Sequence, residues 1–207
     1  MDPVTEFEKR IAEFFGSPYA VAVDSCTHGL ELCLRIKNAT IMHTPRRTYL
    51  SIPMLAKKLG LEFHWFDQEW KDYYTVHSSR WVMFDYTQPN IETIDAAVYW
   101  KKDGYVPNSL MCLSFQYKKH LSLGRGGMIL CESKEVALQL KKMSYDGRLP
   151  NIPWREQDVD TMGYHYYMTP ETAQLGLDKL DAAIATPPRQ WTVNDWPDIS
   201  KMKVFKK

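Results

Sequence analysis

The order of apolar and polar positions along the chain predicts helices that alternate with strands. Residues 2–15 begin with Asp-Pro and place apolar side chains at helical spacing, and Gly16 ends that pattern. Residues 19–23 are apolar throughout, as expected of a strand that is buried on both faces. A polar turn at 24–29 then leads into a second helix. A strand, a turn and a helix in this order indicate the start of an α/β sheet.

The alternation continues along the chain. Further strands are predicted at 39–42, 62–66, 81–84, 110–115 and 128–131, and further helices at 50–59, from 134 and from 170. Residues 86–90 have the pattern of a loop, and residues 91–97 are ambiguous, with a short strand that could end at Ile94. The Pro- and Trp-rich residues 187–207 indicate an extended strap outside the core. The pattern therefore predicts one α/β domain over residues 1–186, followed by that strap.

The composition is that of an ordinary globular domain. The chain has 207 residues, of which 44% are hydrophobic and 25% charged, and its formal net charge is +1. This apolar content excludes disorder as the main state, and the near-neutral charge argues against a dedicated nucleic-acid binder. No apolar run approaches the roughly 20 residues that cross a bilayer, so no membrane partner is predicted.

The cysteines and the first residues predict a reducing, cytoplasmic location. The four cysteines form no Cys-x-x-Cys pair and have no histidine at metal-ligand spacing, so we predict no metal site. We interpret Cys26, Cys33, Cys112 and Cys131 as buried free thiols, with disulfides as the alternative. Residues 1–10 are acidic and amphipathic, unlike a secretion signal. The aromatic content of 13% favours an aromatic subunit interface or a pocket for a flat ligand.

Two polar features fall at the ends of predicted strands, where ligands bind in open α/β sheets. Ser25, Cys26 and Thr27 lie between a strand and a helix. Backbone N–H groups, the helix dipole and the two hydroxyls favour a phosphate group there, and a plain helix cap is the alternative. Asp95 precedes two alanines, so its carboxylate could lie close against a flat ring. A surface or capping aspartate is the alternative for that position.

An aromatic residue and a lysine-bearing loop add to these candidates. Tyr49 could stack on a flat ring. Lys118 and Lys119 follow a buried strand in an apolar, glycine-rich segment. Desolvation there would lower the pKa of a lysine and allow it to form a Schiff base with a carbonyl compound. On composition alone, an exposed loop lysine is the alternative.

Five segments carry motifs in the same order along the chain. The string SFQYKKHLSLGRGGMI contains Ser-Phe, a lysine and a Gly-x-Gly-Gly turn, and FEKRIAEFFGSPYAVAVDSCTHGLELCL combines a first helix with a phosphate turn. The other three are the segment from Thr48, the stretch IDAA, and GYHYYMTPETAQLGLDKL. Together they span about residues 5–183. They resemble the DegT/StrS family of pyridoxal-phosphate-dependent sugar aminotransferases.

The resemblance implies a fold and a cofactor. The fold is a three-layer α/β arrangement with a mostly parallel sheet, that of the large domain of fold-type I aminotransferases. The cofactor is pyridoxal 5'-phosphate. The register of Ser114, Phe115 and Leu121 selects Lys119, rather than Lys118, as the catalytic lysine that forms a Schiff base with the cofactor.

The resemblance also implies roles for further residues. Asp95 would pair with the pyridine nitrogen of the cofactor, and Tyr49 would stack on its ring. A partner subunit would contribute the segment that contains His165, for which an ordinary interface histidine is an equal alternative. The implied cofactor-binding residues, which include the hydroxyls around the phosphate, are Ser25, Cys26, Thr27, Tyr49, Asp95, Ser114 and His165.

The chain departs from the family pattern at several positions. Cys26 replaces a glycine of the phosphate turn, and Val98 replaces a glutamine three positions after the aspartate. His165 and Tyr167 replace an asparagine and an arginine. We also expect the smaller C-terminal domain of the family to be reduced to the strap after Thr186. Because of these departures, the resemblance supports the fold and the cofactor better than it supports the substrate.

The implied reaction transfers an amino group from glutamate or glutamine to a keto-sugar nucleotide, in a homodimer with a shared active site. Arg46, Arg47 and Arg125 are candidates for binding a diphosphate or a donor carboxylate, and solvated surface arginines are the alternative. A non-catalytic dimer that acts as a binding or regulatory module is the alternative function, favoured by Val98, by the reduced C-terminal domain and by the altered interface residues His165 and Tyr167. A third alternative is cofactor-dependent sugar dehydration, in which a histidine replaces the lysine and His120 becomes the residue of interest.

Overall fold

The computed structural model describes residues 2–79 and 91–206, so the strand predicted at 81–84 and the loop predicted at 86–90 lie outside the described residues. The described helices are α1 (Pro3–Phe15), α2 (Cys26–Ile36), α3 (Ser51–Leu59), α4 (Lys134–Ser144) and α5 (Pro170–Ala185). The described strands are β1 (Tyr19–Val23), β2 (Ile41–Pro45), β3 (Glu62–Phe66), β4 (Tyr74–Thr75), β5 (Ser78–Ser79), β6 (Glu92–Asp95), β7 (Ser109–Ser114) and β8 (Gly127–Cys131).

Local sequence signals fix the ends of several of these elements. The Asp2 side chain accepts a hydrogen bond from the Thr5 N–H at 3.1 Å, and Gly16 ends α1 in the left-handed conformation with φ 74°. The strand predicted at 39–42 lies instead at Ile41–Pro45. The strand starts later because Ala39 is still hydrogen-bonded to the end of α2: the Ala39 N–H donates to the Leu34 carbonyl of that helix.

The strands form two sheets with mixed pairing. The larger sheet has the order β1-β8-β7-β6-β4, and the smaller one has the order β3-β2-β5. β6 pairs parallel with β7, as β2 does with β3, whereas β8 runs antiparallel to both of its neighbours and β4 antiparallel to β6. The larger sheet is therefore mixed rather than mostly parallel. The reason is that residues 115–126 fold back on themselves, with the Phe115 N–H donating to the Gly126 carbonyl, and return the chain as a hairpin.

Alternate side chains of the central strands enter two separate cores. Cys112 and Ile129 face the core that contains α2, α3 and α4. Met111 and Met128 face the opposite core, which contains α1 and α5. Successive residues of a strand point to opposite faces, so a strand covered by helices on both sides must be apolar at every position. The predicted three-layer α/β arrangement is confirmed.

The strap consists of extended chain interrupted by short 3-10 turns at Val193–Asp195, Ile199–Lys201 and Lys203–Phe205. Its backbone bonds to loops of the domain, since the Val193 N–H donates to the Trp70 carbonyl and the Ile199 N–H to the Arg46 carbonyl. Val193 belongs to the first core, and Ile199 is 1% exposed. The strap therefore buries part of its apolar surface, which the sequence did not predict.

All four cysteines are buried and free, as predicted. The sulfur atoms of Cys33 and Cys112 lie 3.6 Å apart, too far for a covalent bond. Within the described ranges, no helix has both the length and the apolar character needed to cross a membrane.

We predict that Gly127→Ala destabilises the protein strongly. A Cβ atom on Gly127 would lie 2.5 Å from the Cys26 nitrogen and 2.6 Å from the Ser25 carbonyl carbon, and these backbone atoms cannot rotate away. We expect the free energy of unfolding in urea to fall by about 2–3 kcal/mol. Gly60→Asn is the control, because a Cβ on Gly60 meets nothing within 4 Å and asparagine tolerates its φ of +67°. Equal stability of Gly127→Ala and wild type would contradict this packing.

Candidate active site

One cavity of about 440 Å³ lies where β6, β7 and the start of α2 meet. This volume is in the range of small-molecule binding sites, about 300–1,000 Å³. The cavity is lined by seven of the eight site residues predicted from the sequence, which are Ser25, Cys26, Thr27, Tyr49, Asp95, Ser114 and Lys119.

The loop between β7 and β8 presents Lys119 to this cavity. The Lys119 N–H donates to the Gln116 carbonyl at 2.7 Å and closes a tight turn. The Nε2 atom of the next residue, His120, lies 2.8 Å from the Ala183 carbonyl of α5, and His120 does not line this cavity. Burial lowers the pKa of Lys119, and the nearby Asp95 carboxylate acts in the opposite direction. The geometry therefore favours the lysine over the histidine as the reactive group.

Asp95 ends β6 and is 6% exposed. Its Oδ2 atom accepts a hydrogen bond from the Tyr74 hydroxyl at 2.7 Å, and its Oδ1 atom accepts one from the Ala97 N–H at 3.0 Å. Burial raises the pKa of Asp95, whereas the two hydrogen bonds and the Lys119 ammonium lower it. The carboxylate is thus buried beside a cation and two donors, which offset part of its desolvation.

The turn before α2 carries hydroxyl and N–H donors. Ser25 is the N-cap of α2, and its Oγ atom accepts from the His28 N–H at 3.2 Å. Ser25 therefore caps α2, as the alternative interpretation predicted, and it also lines the cavity. The Thr27 hydroxyl donates to the Ser51 hydroxyl at 2.9 Å. The first N–H groups of a helix have no partner within it, so this end of α2 favours an anion.

The guanidinium group of Arg125 pairs with the carboxylate of Asp24 beside this turn and offsets its negative charge. Arg125 Nη2 donates to Asp24 Oδ2 at 2.7 Å, and His28 Nδ1 lies 2.6 Å from Asp24 Oδ1. Arg125 lines the cavity, as the sequence allowed. Arg46 and Arg47 do not line it and instead contact the strap, at the Ser200 hydroxyl and the Trp196 carbonyl.

Five aromatic residues that sequence reasoning did not assign to the site also line the cavity. Lys119 Nζ lies 5.9 Å from the ring centroid of Trp191 and 5.8 Å from that of Trp196, at cation–π distance. The two closely spaced tryptophans of the strap and the tyrosine of the lysine motif were visible signals, whereas nothing in the sequence marked Trp70 or Tyr74. The five residues are Trp70, Tyr74, Tyr117, Trp191 and Trp196.

Tyr49 and His165 occupy exposed positions. Tyr49 lines the cavity, is 55% exposed, and contacts Trp196 edge to face with ring centroids 6.0 Å apart. The His165 side chain is 72% exposed and pairs with Asp146 at 3.1 Å. Within one chain, His165 lies outside the cavity. Its expected role would require the neighbouring subunit.

Solved structures of other α/β proteins have the same arrangement of helices and sheet as this chain. AtS13 from Actinomadura melliaura superposes with a TM-score of 0.72 at 21% identity, over 89% of this chain and 61% of that one. Spr1654 from Streptococcus pneumoniae, a candidate sugar aminotransferase solved in PLP and PMP forms, gives 0.70 at 18% identity over 88% and 60%. The fold is that of fold-type I aminotransferases.

The family model for the DegT/DnrJ/EryC1/StrS aminotransferase family matches residues 2–78 and 96–189. The chain therefore belongs to this family, whose enzymes depend on pyridoxal phosphate. An uncharacterized protein of Methanocaldococcus jannaschii is 24% identical over 88% of this chain and 58% of its own length. The chain thus spans about 60% of the length of the relatives it matches.

We predict that Lys119 reacts with amine reagents at lower pH than an ordinary lysine. Burial lowers its pKa, so its neutral, nucleophilic form is present at lower pH. Competitive labelling of the cofactor-free protein across a pH series, with each lysine followed by mass spectrometry, measures this directly. The exposed neighbour Lys118 is the internal control.

Asp95→Asn sharpens the same test. The Asp95 carboxylate raises the pKa of Lys119, so its removal should shift the Lys119 labelling curve to still lower pH. A Lys119 labelling curve that stays in place or moves to higher pH in Asp95→Asn would contradict this attraction between the two groups.

Proposed function

We propose that the chain binds pyridoxal 5'-phosphate through Lys119 and transfers an amino group from glutamate or glutamine to a keto-sugar nucleotide. The observation that carries this proposal is that Lys119, Asp95 and the turn at Ser25 line one cavity. Residues 1–186 form the cofactor-binding domain in this proposal, and residues 187–207 form the strap beside the cavity. Membership of an aminotransferase family supports the reaction type.

The donor set around the cavity fits this cofactor. A lysine of lowered pKa suits an aldehyde, a buried carboxylate suits a protonated pyridine nitrogen, and a helix N-terminus suits a phosphate group. The missing side chain of Gly127 lets the Ser25–Cys26 backbone approach β8 closely. The phosphate turn can therefore occupy this position only because residue 127 has no side chain.

Each residue would have a separate task. When bound, pyridoxal phosphate supplies an aldehyde that condenses with amines and a ring that accepts electrons from the substrate carbon. Asp95 holds a proton on the ring nitrogen by its charge, and Tyr49 covers the ring. The hydroxyls of Ser25, Thr27 and Ser114, with N–H groups of α2, bind the phosphate.

Lys119 would have two tasks in turn. Its Nζ atom would hold the cofactor aldehyde, and it would become a free amine once the amino donor displaces it. As general base and acid, the same Nζ atom would then remove a proton from the donor carbon and deliver it to the cofactor. Desolvation assists both tasks, because it increases the fraction of Lys119 that is neutral near physiological pH.

The alternative is a non-catalytic dimer that acts as a binding or regulatory module. The observation that favours it is the position of Trp191 and Trp196, whose rings lie within 6 Å of the Lys119 amine and narrow the cavity. Retention of both Lys119 and Asp95 argues against it, because a buried carboxylate beside a half-buried lysine is costly in a protein that does not use the pair.

A spectroscopic experiment tests the proposal. We expect the full chain mixed with pyridoxal phosphate to develop a visible absorption band, and borohydride to convert it into a permanent adduct on the peptide that contains Lys119. Lys119→Ala should abolish the adduct and lower amino transfer by roughly 10²–10⁴-fold. Lys118→Ala is the matched control and should keep both.

Two further measurements separate the alternatives. A bound cofactor stabilises the folded state by mass action, so an unchanged melting temperature with excess pyridoxal phosphate would favour the non-catalytic module. Incubation of the loaded protein with glutamate or glutamine and a set of keto-sugar nucleotides tests the substrates. An adduct that survives in Lys119→Ala would refute the assignment of the lysine.

We also propose that the protein is a cytoplasmic homodimer with a shared active site, to which His165 of each subunit adds a contact. Free buried thiols support a reducing compartment. Large apolar side chains within residues 152–162, which precede His165 in the sequence, are exposed in the single chain, among them Trp154 at 64% and Met162 at 78%. Several exposed apolar side chains in one segment are typical of a surface that another subunit covers.

Sedimentation velocity tests the dimer. We expect wild type to sediment with twice the mass of one chain, and Trp154→Glu to shift the equilibrium towards monomer, because a buried charge in an apolar interface lacks a partner. Ile184→Glu is the control, since Ile184 is also exposed but lies on α5, which packs against α1 in the opposite core. A monomeric wild type would refute the shared site.

A further inference from the structure

A hydrogen-bonded pair of hydroxyls lies behind Asp95. The Thr48 hydroxyl lies 2.5 Å from the Tyr74 hydroxyl, and the Tyr74 hydroxyl donates to Asp95 Oδ2 at 2.7 Å. Because Tyr74 has only one hydroxyl proton and gives it to the carboxylate, Thr48 must donate to Tyr74. The three groups therefore form a chain that runs from Thr48 through Tyr74 to Asp95.

These hydroxyls are buried and come from separate parts of the chain. Thr48 is 3% exposed, Tyr74 is 4% exposed and Asp95 is 6% exposed. Tyr74 belongs to the two-residue strand β4, which pairs antiparallel with β6 and sets Tyr74 directly opposite Asp95. Thr48 immediately precedes Tyr49 on the cavity wall. Water has little access to these groups, so each depends on the next for its hydrogen bonds.

We propose that Tyr74 is a positioning residue, which fixes the orientation of the Asp95 carboxylate and, through Thr48, couples it to the segment that carries Tyr49. This inference rests on the proposed function, in which Asp95 faces the ring nitrogen of the cofactor and Tyr49 covers the ring. The Tyr74 side chain also lines the cavity. Its effect is transmitted through Asp95.

The surroundings of Asp95 explain why such a donor matters. The groups that act electrostatically on or with Asp95 are the Lys119 ammonium, the Tyr74 hydroxyl, the Ala97 N–H and the thiols of Cys26 and Cys112. Burial raises the pKa of both thiols well above their usual range, so they remain neutral and do not stabilise the carboxylate. Tyr74 is thus the side-chain hydroxyl that donates to Asp95 among the described residues.

The direction of the effect follows from the hydrogen bond. The Tyr74 hydroxyl stabilises the charged form of Asp95 and lowers the pKa of that carboxyl against the effect of burial. Tyr74→Phe keeps the ring and removes only the donor. The pKa of Asp95 should therefore rise in this variant. A role limited to packing would leave that pKa unchanged.

The experiment titrates Asp95 in the full, cofactor-free chain. Protein labelled with carbon-13 at the aspartate carboxyls is followed by NMR across a pH series, and the Asp95 signal is the one that is missing in Asp95→Asn. We expect a higher titration midpoint in Tyr74→Phe than in wild type. Tyr105→Phe is the matched control, because the Tyr105 hydroxyl also makes one hydrogen bond, to the Ser109 carbonyl at 2.8 Å, away from Asp95.

Variants of Thr48 keep the test valid if Tyr74→Phe fails to fold. Thr48→Val removes the donor to Tyr74, and we expect a smaller upward shift of the Asp95 midpoint, whereas Thr48→Ser retains the hydroxyl and should restore the wild-type value. An unchanged midpoint in Tyr74→Phe, or in Thr48→Val when the first variant is unfolded, overturns the proposal.

Cofactor binding supplies the second readout. We expect Tyr74→Phe to bind pyridoxal phosphate about tenfold more weakly than wild type at a pH between the two Asp95 midpoints, and the difference to shrink above both midpoints, where Asp95 is ionised in both proteins. Equal affinity at all pH values would overturn the positioning role. Failure of wild type to bind the cofactor, with the titration shift present, would refute the proposed function and leave the Tyr74–Asp95 interaction demonstrated.

Discussion

Lys119 and Asp95 carry opposite charges and line one cavity that is partly shielded from water. The rest of the site depends on the interactions that offset the free-energy cost of removing these two charges from water. Burial lowers the pKa of the lysine and raises that of the aspartate, so it drives both groups towards neutrality. Their mutual attraction opposes this tendency, as do the hydrogen bonds from Tyr74 and Ala97. The balance gives an amine that can become nucleophilic beside an acid that can still carry charge.

The parts that meet around this pair come from distant positions in the chain. β6 supplies Asp95, the β7–β8 hairpin supplies Lys119, and the turn before α2 supplies the hydroxyls. Gly127 allows that turn to contact β8 at backbone distance. The strap adds Trp191 beside the lysine and is joined to the domain by main-chain hydrogen bonds. The site therefore depends on the packing of all three layers.

Much of the fold could be predicted from the sequence, because local rules set it. The Asp2 cap and Gly16 bound α1, and β1 lies at the predicted residues because a doubly covered strand is apolar at each position. The mixed pairing of the sheet could not be predicted, since it depends on whether a loop returns the chain or crosses over. The start of β2 was misjudged because a helix end and a strand start can use similar residues.

The sequence by itself determined the α/β class, the family resemblance, and seven residues of the cavity, since motif spacing and strand ends are properties of neighbouring positions. Only the tertiary structure decided the place of Tyr74, which reaches Asp95 through the β4–β6 pairing, and of the strap tryptophans beside Lys119. It also decided that His165 lies outside the cavity of its own chain. The physical reason is that contacts between residues far apart in the chain are set by packing, which local propensity does not encode.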